Sequence, residues 1–230
     1  MHKRAVARSL VEKHVSHAYN CSMTHRILVA TTNPGKVREL GALLAADVVW
    51  KSLADFPGLD EVVEDGATFA ENARKKATQY AKATGLWTLA DDSGLVVDAL
   101  DGAPGVKSAR FSGKRPTGED RSLLDHRNMA KVLDLLQGVP RARRTARFVC
   151  CLCLASPERV LAETRGTVEG LIAEEEVGTN GFGYDPIFFV PQLGKTAAQL
   201  TAEQKNAVSH RGNAIGELRP LLAKLLADND

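Results

Sequence analysis

Residues 89–113 are Leu-Ala-Asp-Asp-Ser-Gly-Leu-Val-Val-Asp-Ala-Leu-Asp-Gly-Ala-Pro-Gly-Val-Lys-Ser-Ala-Arg-Phe-Ser-Gly. The apolar run 86–90 predicts a buried strand. We expect this strand to end at the carboxylates Asp91 and Asp92, because the turn pair Ser93-Gly94 follows them. Ligands of α/β sheets bind where strands reach their carboxyl ends. Two carboxylates at such a point suit Mg²⁺, with phosphate oxygens as further ligands; the alternative is a polar turn between two strands.

Length and composition limit the class of protein. A chain of 230 residues suits a single domain. Its net charge of +2 gives no general attraction to nucleic acid or to membranes, and its 5% of aromatic residues argues against a surface that stacks single-stranded nucleic acid. No apolar run reaches the ~18 residues of a membrane span.

The cysteines indicate a reducing compartment. Cys150, Cys151 and Cys153 lie in one apolar run, and Cys21 lies far from them. This spacing is typical neither of a disulfide framework nor of a zinc site. We therefore expect buried, reduced thiols in a cytoplasmic protein.

Residues 1–23 differ in composition from the rest of the chain. Residues 1–23 are basic, and charged side chains interrupt their apolar positions, which excludes a secretory signal. We expect a disordered or dispensable leader over 1–23 and one domain over 24–230, with Met1 and Met23 both open as the start. A mitochondrial presequence is the alternative for the leader.

A polar turn joins a strand to a helix near the start of this domain. Residues 26–31 are apolar and β-rich, whereas Val37, Leu40 and Leu44 have helical spacing. Between them, residues 31–36 are Thr-Thr-Asn-Pro-Gly-Lys. Free N–H groups at a helix N-terminus bind phosphate, although the segment lacks the pattern of a Walker P-loop. An ordinary turn with a solvated lysine is the alternative.

A helix is predicted over 68–84. A Thr-x-x-Glu capping box begins it and Gly85 ends it. Asn72 and Lys76 are four residues apart and share one face. Since the helix leads directly into the strand at 86–92, this face is expected to border the carboxylates.

Further elements complete the predicted framework. They are a strand at 48–53, an acidic loop at 57–66 with Glu64 as a candidate metal ligand or a solvated side chain, a helix at 119–137, paired strands at 146–155 and 159–168, and a last helix at 214–227. The apolar side of the helix at 119–137 is assigned to Leu123, Met129, Val132, Leu133 and Leu136. A basic cluster without aromatic neighbours is expected to be solvated rather than to bind nucleic acid; it comprises Arg141, Arg143, Arg144 and Arg147.

A glycine-rich segment lies at 178–190, where the backbone allows a ligand to approach closely. Phe182 and Tyr184 suit stacking on a planar base, and Asp185 suits accepting a hydrogen bond from it. The alternative is a loop with core aromatics.

A second capping box, Thr201-Ala-Glu-Gln, begins a short helical segment. We expect this segment to end at His210 and Arg211, next to Gly212. Together with Lys205, these residues offer three donors to phosphate or base within seven residues.

The motifs in their order resemble the inosine triphosphate pyrophosphatase family, which acts on ITP, dITP and XTP. They are Thr-Thr-Asn-Pro-Gly-Lys, Thr-Phe-x-Glu-Asn-Ala, Ala-Asp-Asp-Ser-Gly-Leu, Gly-Ala-Pro-Gly-x-x-Ser-Ala-Arg-Phe-Ser-Gly, Gly-Phe-Gly-Tyr-Asp-Pro-Ile-Phe and Ser-His-Arg-Gly, over about residues 26–226. The resemblance implies an elongated, two-lobed α/β fold around a mixed sheet, with the active-site cleft between the lobes. It also implies a cytoplasmic homodimer that uses Mg²⁺.

The resemblance assigns roles by matching position. Asp92 is implied as the catalytic carboxylate and a Mg²⁺ ligand, with Glu64 as the second metal ligand. Ser93 and Lys76 are implied to contact substrate. The triphosphate is implied to be wrapped by Thr31, Thr32, Asn33, Pro34, Gly35 and Lys36. Base, sugar and phosphates are implied to be held by Phe182, Gly183, Tyr184, Asp185, Lys205, His210 and Arg211, with His210 or Arg211 donating to O6 of a 6-keto purine.

The expected reaction is hydrolysis of a purine nucleoside triphosphate to the monophosphate and pyrophosphate, which removes inosine and xanthosine nucleotides from the pool. A pyrophosphatase for other modified nucleotides and a non-catalytic nucleotide sensor are the alternatives. The carboxylates Asp91, Asp92 and Glu64 argue against a sensor.

Overall fold

The structure is a computed structural model. It describes residues 25–31, 36, 40, 48–114 and 116–229. The predicted leader, 1–23, and residues 32–35 of the predicted phosphate turn lie outside the described residues.

A mixed seven-stranded sheet forms the centre of the molecule, in the order β2-β1-β3-β4-β5-β6-β7. Strand β1 is parallel to both β2 and β3, and every later pair is antiparallel. The strands are β1 (Arg26–Val29), β2 (Val49–Ser52), β3 (Trp87–Val97), β4 (Thr145–Ala155), β5 (Val160–Ile172), β6 (Phe188–Val190) and β7 (Lys195–Thr196). The sheet and its flanking helices confirm the predicted α/β class.

The α-helices whose bounds lie within the described residues are α1 (Phe69–Thr84), α2 (Arg121–Leu135), α3 (Ala202–Ala207) and α4 (His210–Ala227). The capping signals of α1 are confirmed, because Thr68 accepts from the Glu71 amide and Gly85 ends the helix in the left-handed region. Lys36 and Leu40 are helical as well. Within the described part of the chain, no helix is long and apolar enough to cross a membrane.

Helices cover both faces of the sheet. On one face, Ala73, Ala77 and Tyr80 of α1 pack against apolar side chains of β1, β3 and β4. On the other face, Ile215 and Leu218 of α4 pack with leucines of β3 and β4. Because successive side chains of a strand point to opposite faces, neighbouring residues of β3 face α1 and α4 in turn.

Strand β3 corrects the prediction that the strand ends at Asp91 and Asp92. It continues to Val97, and β4 pairs with it from Thr88 onward, with Asp92 opposite Cys151 and Gly94 opposite Val149. The turn-like composition of 91–94 is overridden by this antiparallel partner, which supplies the ladder hydrogen bonds. The carboxylates therefore lie in the middle of a strand.

Three further predictions were wrong in detail. Leu123 is exposed, and Leu124 takes the core position of α2. Arg144 is buried, because its guanidinium donates to the carbonyls of Leu136, Val139 and Ala173. The last helix begins at His210 rather than at 214, with Ser209 as its N-cap.

Candidate active site

The candidate site lies along the edge of β3, beyond the point where β1 ends. Near that point, the Ala30 amide donates to the Leu89 carbonyl at 2.8 Å. Farther along, Lys76 Nζ donates to the Asp91 carbonyl at 2.5 Å, and the Leu95 amide donates to Ser108 Oγ at 2.9 Å. These two side chains thus satisfy backbone groups of β3 in this part of the strand, and a cavity of about 250 Å³ opens beside them.

Asp92 points toward α1. Its Oδ2 accepts from Asn72 Nδ2 at 3.0 Å, and its Oδ1 accepts from the Ser93 amide at 3.0 Å. Only 6% of the residue is exposed. Burial raises the pKa of Asp92, and the charges of Lys76 and Lys36 oppose that rise. Asp92 is therefore a carboxylate held by both oxygens, with increased affinity for a proton.

Asp91 points to the opposite face. Its Oδ2 lies 2.9 Å from Lys36 Nζ and 3.3 Å from Arg211 Nη2, and it accepts from Ser93 Oγ at 3.2 Å. Burial alone would raise the pKa of Asp91, but the surrounding cations Lys36, Arg211 and Lys76 hold it well below its usual range. The side chains of Asp91 and Asp92 leave the strand on opposite faces, so they do not form the joint metal site that their adjacency suggested.

Glu64 lies near Asp92, on the loop before α1. Lys76 Nζ is 2.5 Å from Glu64 Oε1, and Arg110 donates to the Glu64 carbonyl at 3.0 Å. Burial acts to lower the pKa of Lys76, but Asp91, Glu64 and Asp92 raise it above its usual value. The ammonium group is therefore a fixed positive charge.

The carboxylates of the cavity determine whether it could hold Mg²⁺. Among the described residues, no three His, Cys, Asp or Glu side chains are grouped to hold a metal ion. Mg²⁺ commonly takes only one or two carboxylates, with substrate phosphates and water completing its shell. Asp92 and Glu64 both line the cavity, and both interact with the Lys76 charge. The pair thus already faces a cation and fits a Mg²⁺ ion.

The glycine-rich segment forms another part of the cavity wall. The Phe182 amide donates to Asp185 Oδ2 at 2.8 Å, and Lys205 Nζ lies 2.7 Å from the same oxygen. Gly181 has φ of +83°, and a Cβ there would meet the Asp185 carboxylate, so this close approach requires glycine. Lys205 also lies over the Phe182 ring, 4.7 Å from its centroid.

Tyr184 and His210 are both buried. Tyr184 donates its hydroxyl to the Ser108 carbonyl at 2.8 Å, which ties the glycine-rich segment to the helical turn Gly105–Arg110. His210 stacks on Phe148 with ring centroids 5.0 Å apart. Burial lowers the pKa of His210 well below its usual value, and the charge of Arg211 adds to the effect. The imidazole is therefore neutral at physiological pH.

The sequence and the fold are similar to those of known proteins. Residues 27–221 match the model of the Ham1 family. The chain belongs to the Ham1 family. A relative named dITP/XTP pyrophosphatase from Listeria monocytogenes serotype 4b is 48% identical over 202 residues, which are 87% of this chain and 96% of the relative. One of the same name from Geobacter sulfurreducens is 51% identical over 195 residues, 84% of this chain and 94% of the relative.

Solved structures support the same Ham1-family assignment. The Staphylococcus aureus Ham1 protein superposes with a TM-score of 0.76 at 40% identity, covering 86% of this chain and 98% of that one. A nucleoside-triphosphatase, dITP/XTP pyrophosphatase, from Mycobacterium abscessus gives a TM-score of 0.69 at 47% identity, covering 85% and 99%. The resemblance stated from the motifs is thereby confirmed.

In this Ham1-family chain, the cavity brings together the predicted site residues that the structure describes. Those lining it are Thr31, Lys36, Glu64, Lys76, Asp92, Ser93, Phe182, Gly183, Tyr184, Asp185, Lys205, His210 and Arg211. Thr32, Asn33, Pro34 and Gly35 lie outside the described residues.

Three charged residues of the cavity wall were missed by the sequence analysis: Glu61 on the acidic loop, and Arg121 and Asp125 on α2. Arg121 and Asp125 lie one turn apart on α2 and both line the cavity. Asp125 Oδ2 accepts from the Gly183 amide at 3.0 Å. Burial raises the pKa of Asp125. Their i, i+4 spacing was the available signal, but it is shared by many solvated helix faces.

Proposed function

We propose that this chain hydrolyses ITP, dITP and XTP to the nucleoside monophosphate and pyrophosphate, and thereby removes these nucleotides from the pool. The observation that carries the proposal is Asp92, a buried carboxylate facing a cavity that is lined by Lys36, Lys76, Lys205 and Arg211. A proton acceptor among cations suits the hydrolysis of a polyanion. The relatives' printed names support the same activity.

The cations define the phosphate end of the cavity. Lys36 and Arg211 share Asp91 as a counterion, and Lys76 pairs with Glu64. Donors that are already oriented stabilise the charge of a departing pyrophosphate without reorganisation. Because Arg211 donates to Asp91 and Ser93, we place it at the phosphate end rather than at the base.

Asp92 and Glu64 are the residues that would hold Mg²⁺. The ion would offset phosphate charge and acidify the attacking water when bound.

We assign to Asp92 the role of accepting a proton from the attacking water. The Asn72 amide and the Ser93 N–H fix its two oxygens, so the carboxylate is oriented before substrate arrives. The water oxygen forms a bond to the α-phosphorus, the bond from that phosphorus to the bridging oxygen breaks, and pyrophosphate leaves with the electron pair. The products are a nucleoside monophosphate and pyrophosphate.

The base end is assigned to Phe182, Asp185, Lys205 and His210. The Phe182 ring suits a planar base, and a neutral imidazole both donates and accepts a hydrogen bond. We assign recognition of the purine 6-keto group to His210. The cleft between two lobes, the homodimer and the cytoplasmic location expected from the family belong to the same proposal.

Pyrophosphate release in the presence of Mg²⁺ tests the proposal, with ITP, dITP and XTP measured beside ATP, GTP and dTTP. Fast release from the first three alone is expected. Equal release from all six would retain a nucleotide pyrophosphatase and exclude the selective role. Binding without release would leave a nucleotide sensor, and omission of Mg²⁺ from the same assay tests the metal.

A further inference from the structure

We propose that Asp125 is a positioning residue that fixes the Phe182–Gly183 wall of the cavity, and that it thereby sets the affinity for the purine base but not for the pyrophosphate part of the substrate. The inference rests on the proposed function, since the base is that of the proposed substrates.

The contact itself joins two distant parts of the chain. Asp125 lies on α2, 58 residues before Gly183, and its Oδ2 accepts the Gly183 amide at 3.0 Å. A hydrogen bond from a backbone N–H group to a carboxylate is among the stronger hydrogen bonds of proteins. This one is half-buried, so water competes with it only partly.

Two neighbouring amides of the glycine-rich segment are held in the same way. The Phe182 amide donates to Asp185, a residue of its own segment, whereas the Gly183 amide donates to Asp125 on α2. The backbone around Phe182 is therefore held by one hydrogen bond within the segment and by another to α2. Asp185 is also paired with Lys205, whereas Asp125 connects this point of the segment to α2.

The backbone of this segment depends on such tethers. Gly181 and Gly183 both have positive φ, and glycine is the residue with the most conformational freedom to lose. An ordered wall binds a ligand more tightly than a mobile one, because the cost of ordering has been met before the ligand arrives. Removing the Asp125 tether should therefore weaken binding at this wall.

The phosphate end does not share this dependence. Lys36, Lys76 and Arg211 are held by Asp91, Glu64 and Ser93, which lie on β3 and on the loop before α1 rather than on α2. If Asp125 positions the base wall, its loss should weaken binding of the nucleoside part of the substrate and leave binding of the pyrophosphate part unchanged.

The experiment separates the substrate into its two products. Binding of IMP and of inorganic pyrophosphate is measured by calorimetry, with Mg²⁺ present, for the wild type and for Asp125→Ala and Asp125→Asn. We expect Asp125→Ala to raise the Kd for IMP about tenfold and to leave the Kd for pyrophosphate within about twofold. Asp125→Asn keeps an acceptor oxygen at the same place and should stay within about threefold of the wild type for IMP.

Controls keep the result interpretable. Asp134→Asn changes an exposed carboxylate on the same helix and should alter neither constant. Asp125→Ser, whose side chain is too short to reach Gly183, is measured beside Asp125→Ala, so that the result does not depend on the folding of one variant. Steady-state hydrolysis of ITP is recorded for each, with the KM expected to rise and kcat to stay within about twofold.

The outcomes are distinct. An unchanged Kd for IMP in both shortened variants overturns the inference, and so does an equal weakening of IMP and pyrophosphate binding, which would indicate a general structural role. Absence of IMP binding by the wild type also overturns it. Failure of the proposed function gives a different result: the wild type would bind IMP and pyrophosphate but would not hydrolyse ITP.

Discussion

Asp91 is the counterion of two cations that are themselves almost buried. Replacement by Asn keeps the shape of the side chain but leaves Lys36 and Arg211 without the carboxylate that lies 2.9 Å and 3.3 Å from them. Breaking a buried ion pair costs about 3–5 kcal/mol. We expect Asp91→Asn to lower the free energy of unfolding by about that amount, as measured by urea denaturation.

The exposed Asp134 supplies the matched comparison for this change. Asp134→Asn should alter the free energy of unfolding by no more than about 0.5 kcal/mol. If Asp91→Asn were equally mild, the assignment of Asp91 as the counterion of Lys36 and Arg211 would be wrong.

His210 gives a dependence of stability on pH. Because burial lowers its pKa in the folded protein below the ordinary value of 6.5, the unfolded chain binds a proton at a higher pH than the folded chain does. Stability is therefore lost as pH falls below about 6.5, by up to about 1.4 kcal/mol per pH unit. Urea denaturation at pH 7.5, 6.5 and 5.5 measures this slope. His210→Asn should have a smaller slope, and equal slopes in the two proteins would exclude His210 as the cause.

Between elements, the docking of α4 on β5 depends on Gly166. A Cβ on Gly166 would meet the His210 carbonyl and would lie 2.5 Å from the Ala214 amide nitrogen. We expect Gly166→Ala to push the first turn of α4 away from the sheet and to destabilise the protein by about 1–3 kcal/mol, as measured by thermal unfolding. ITP hydrolysis should fall with it, since His210 and Arg211 lie in that turn.

Substitution of Gly216 tests whether an added methyl group by itself destabilises the protein. It lies in the same helix with nothing within 4 Å of its Cβ position. Gly216→Ala should therefore stabilise the protein, by about 0.5–1 kcal/mol. Destabilisation by both substitutions to the same extent would show that helix packing at Gly166 has no special importance.

Local signals predicted the elements that local interactions determine. Helix α1 begins at its capping box and ends at Gly85, because both signals act within one turn of the chain. The continuation of β3 through Asp91 and Asp92 depends instead on pairing with β4, about 60 residues away in sequence. The start of α4 was placed late for a related reason: Gly212 suggested a break, but the Ser209 cap and packing on β5 carry the helix through it.

For the molecule as a whole, the motifs predicted which residues gather at the cavity, but not how the walls are joined. Asp92, Lys76 and His210 could be predicted because they stand in motifs of fixed order. Arg121 and Asp125 stand in an ordinary amphipathic helix, and only the tertiary contact with Gly183 distinguishes Asp125 from a solvated carboxylate. The opposite orientations of Asp91 and Asp92 likewise follow from the pleat of a strand whose extent the sequence did not predict.

The cavity is bounded by the sheet, α1, α2 and α4, so a bound nucleotide should stabilise the whole molecule. At a ligand concentration of about a hundred times Kd, binding contributes about 2.7 kcal/mol, which corresponds to a rise in Tm of about 5–10 °C for a chain of this size. Measured without Mg²⁺, Asp92→Asn should retain most of this rise with ITP, because the cations and the base wall are unchanged, while its kcat with Mg²⁺ falls by about 10²–10⁴-fold. Thermal unfolding and pyrophosphate release, measured on the same samples beside Asp134→Asn, separate the two effects. A variant that keeps its turnover would show that Asp92 is not the proton acceptor, whereas one that loses both turnover and the rise in Tm would show that Asp92 acts in binding.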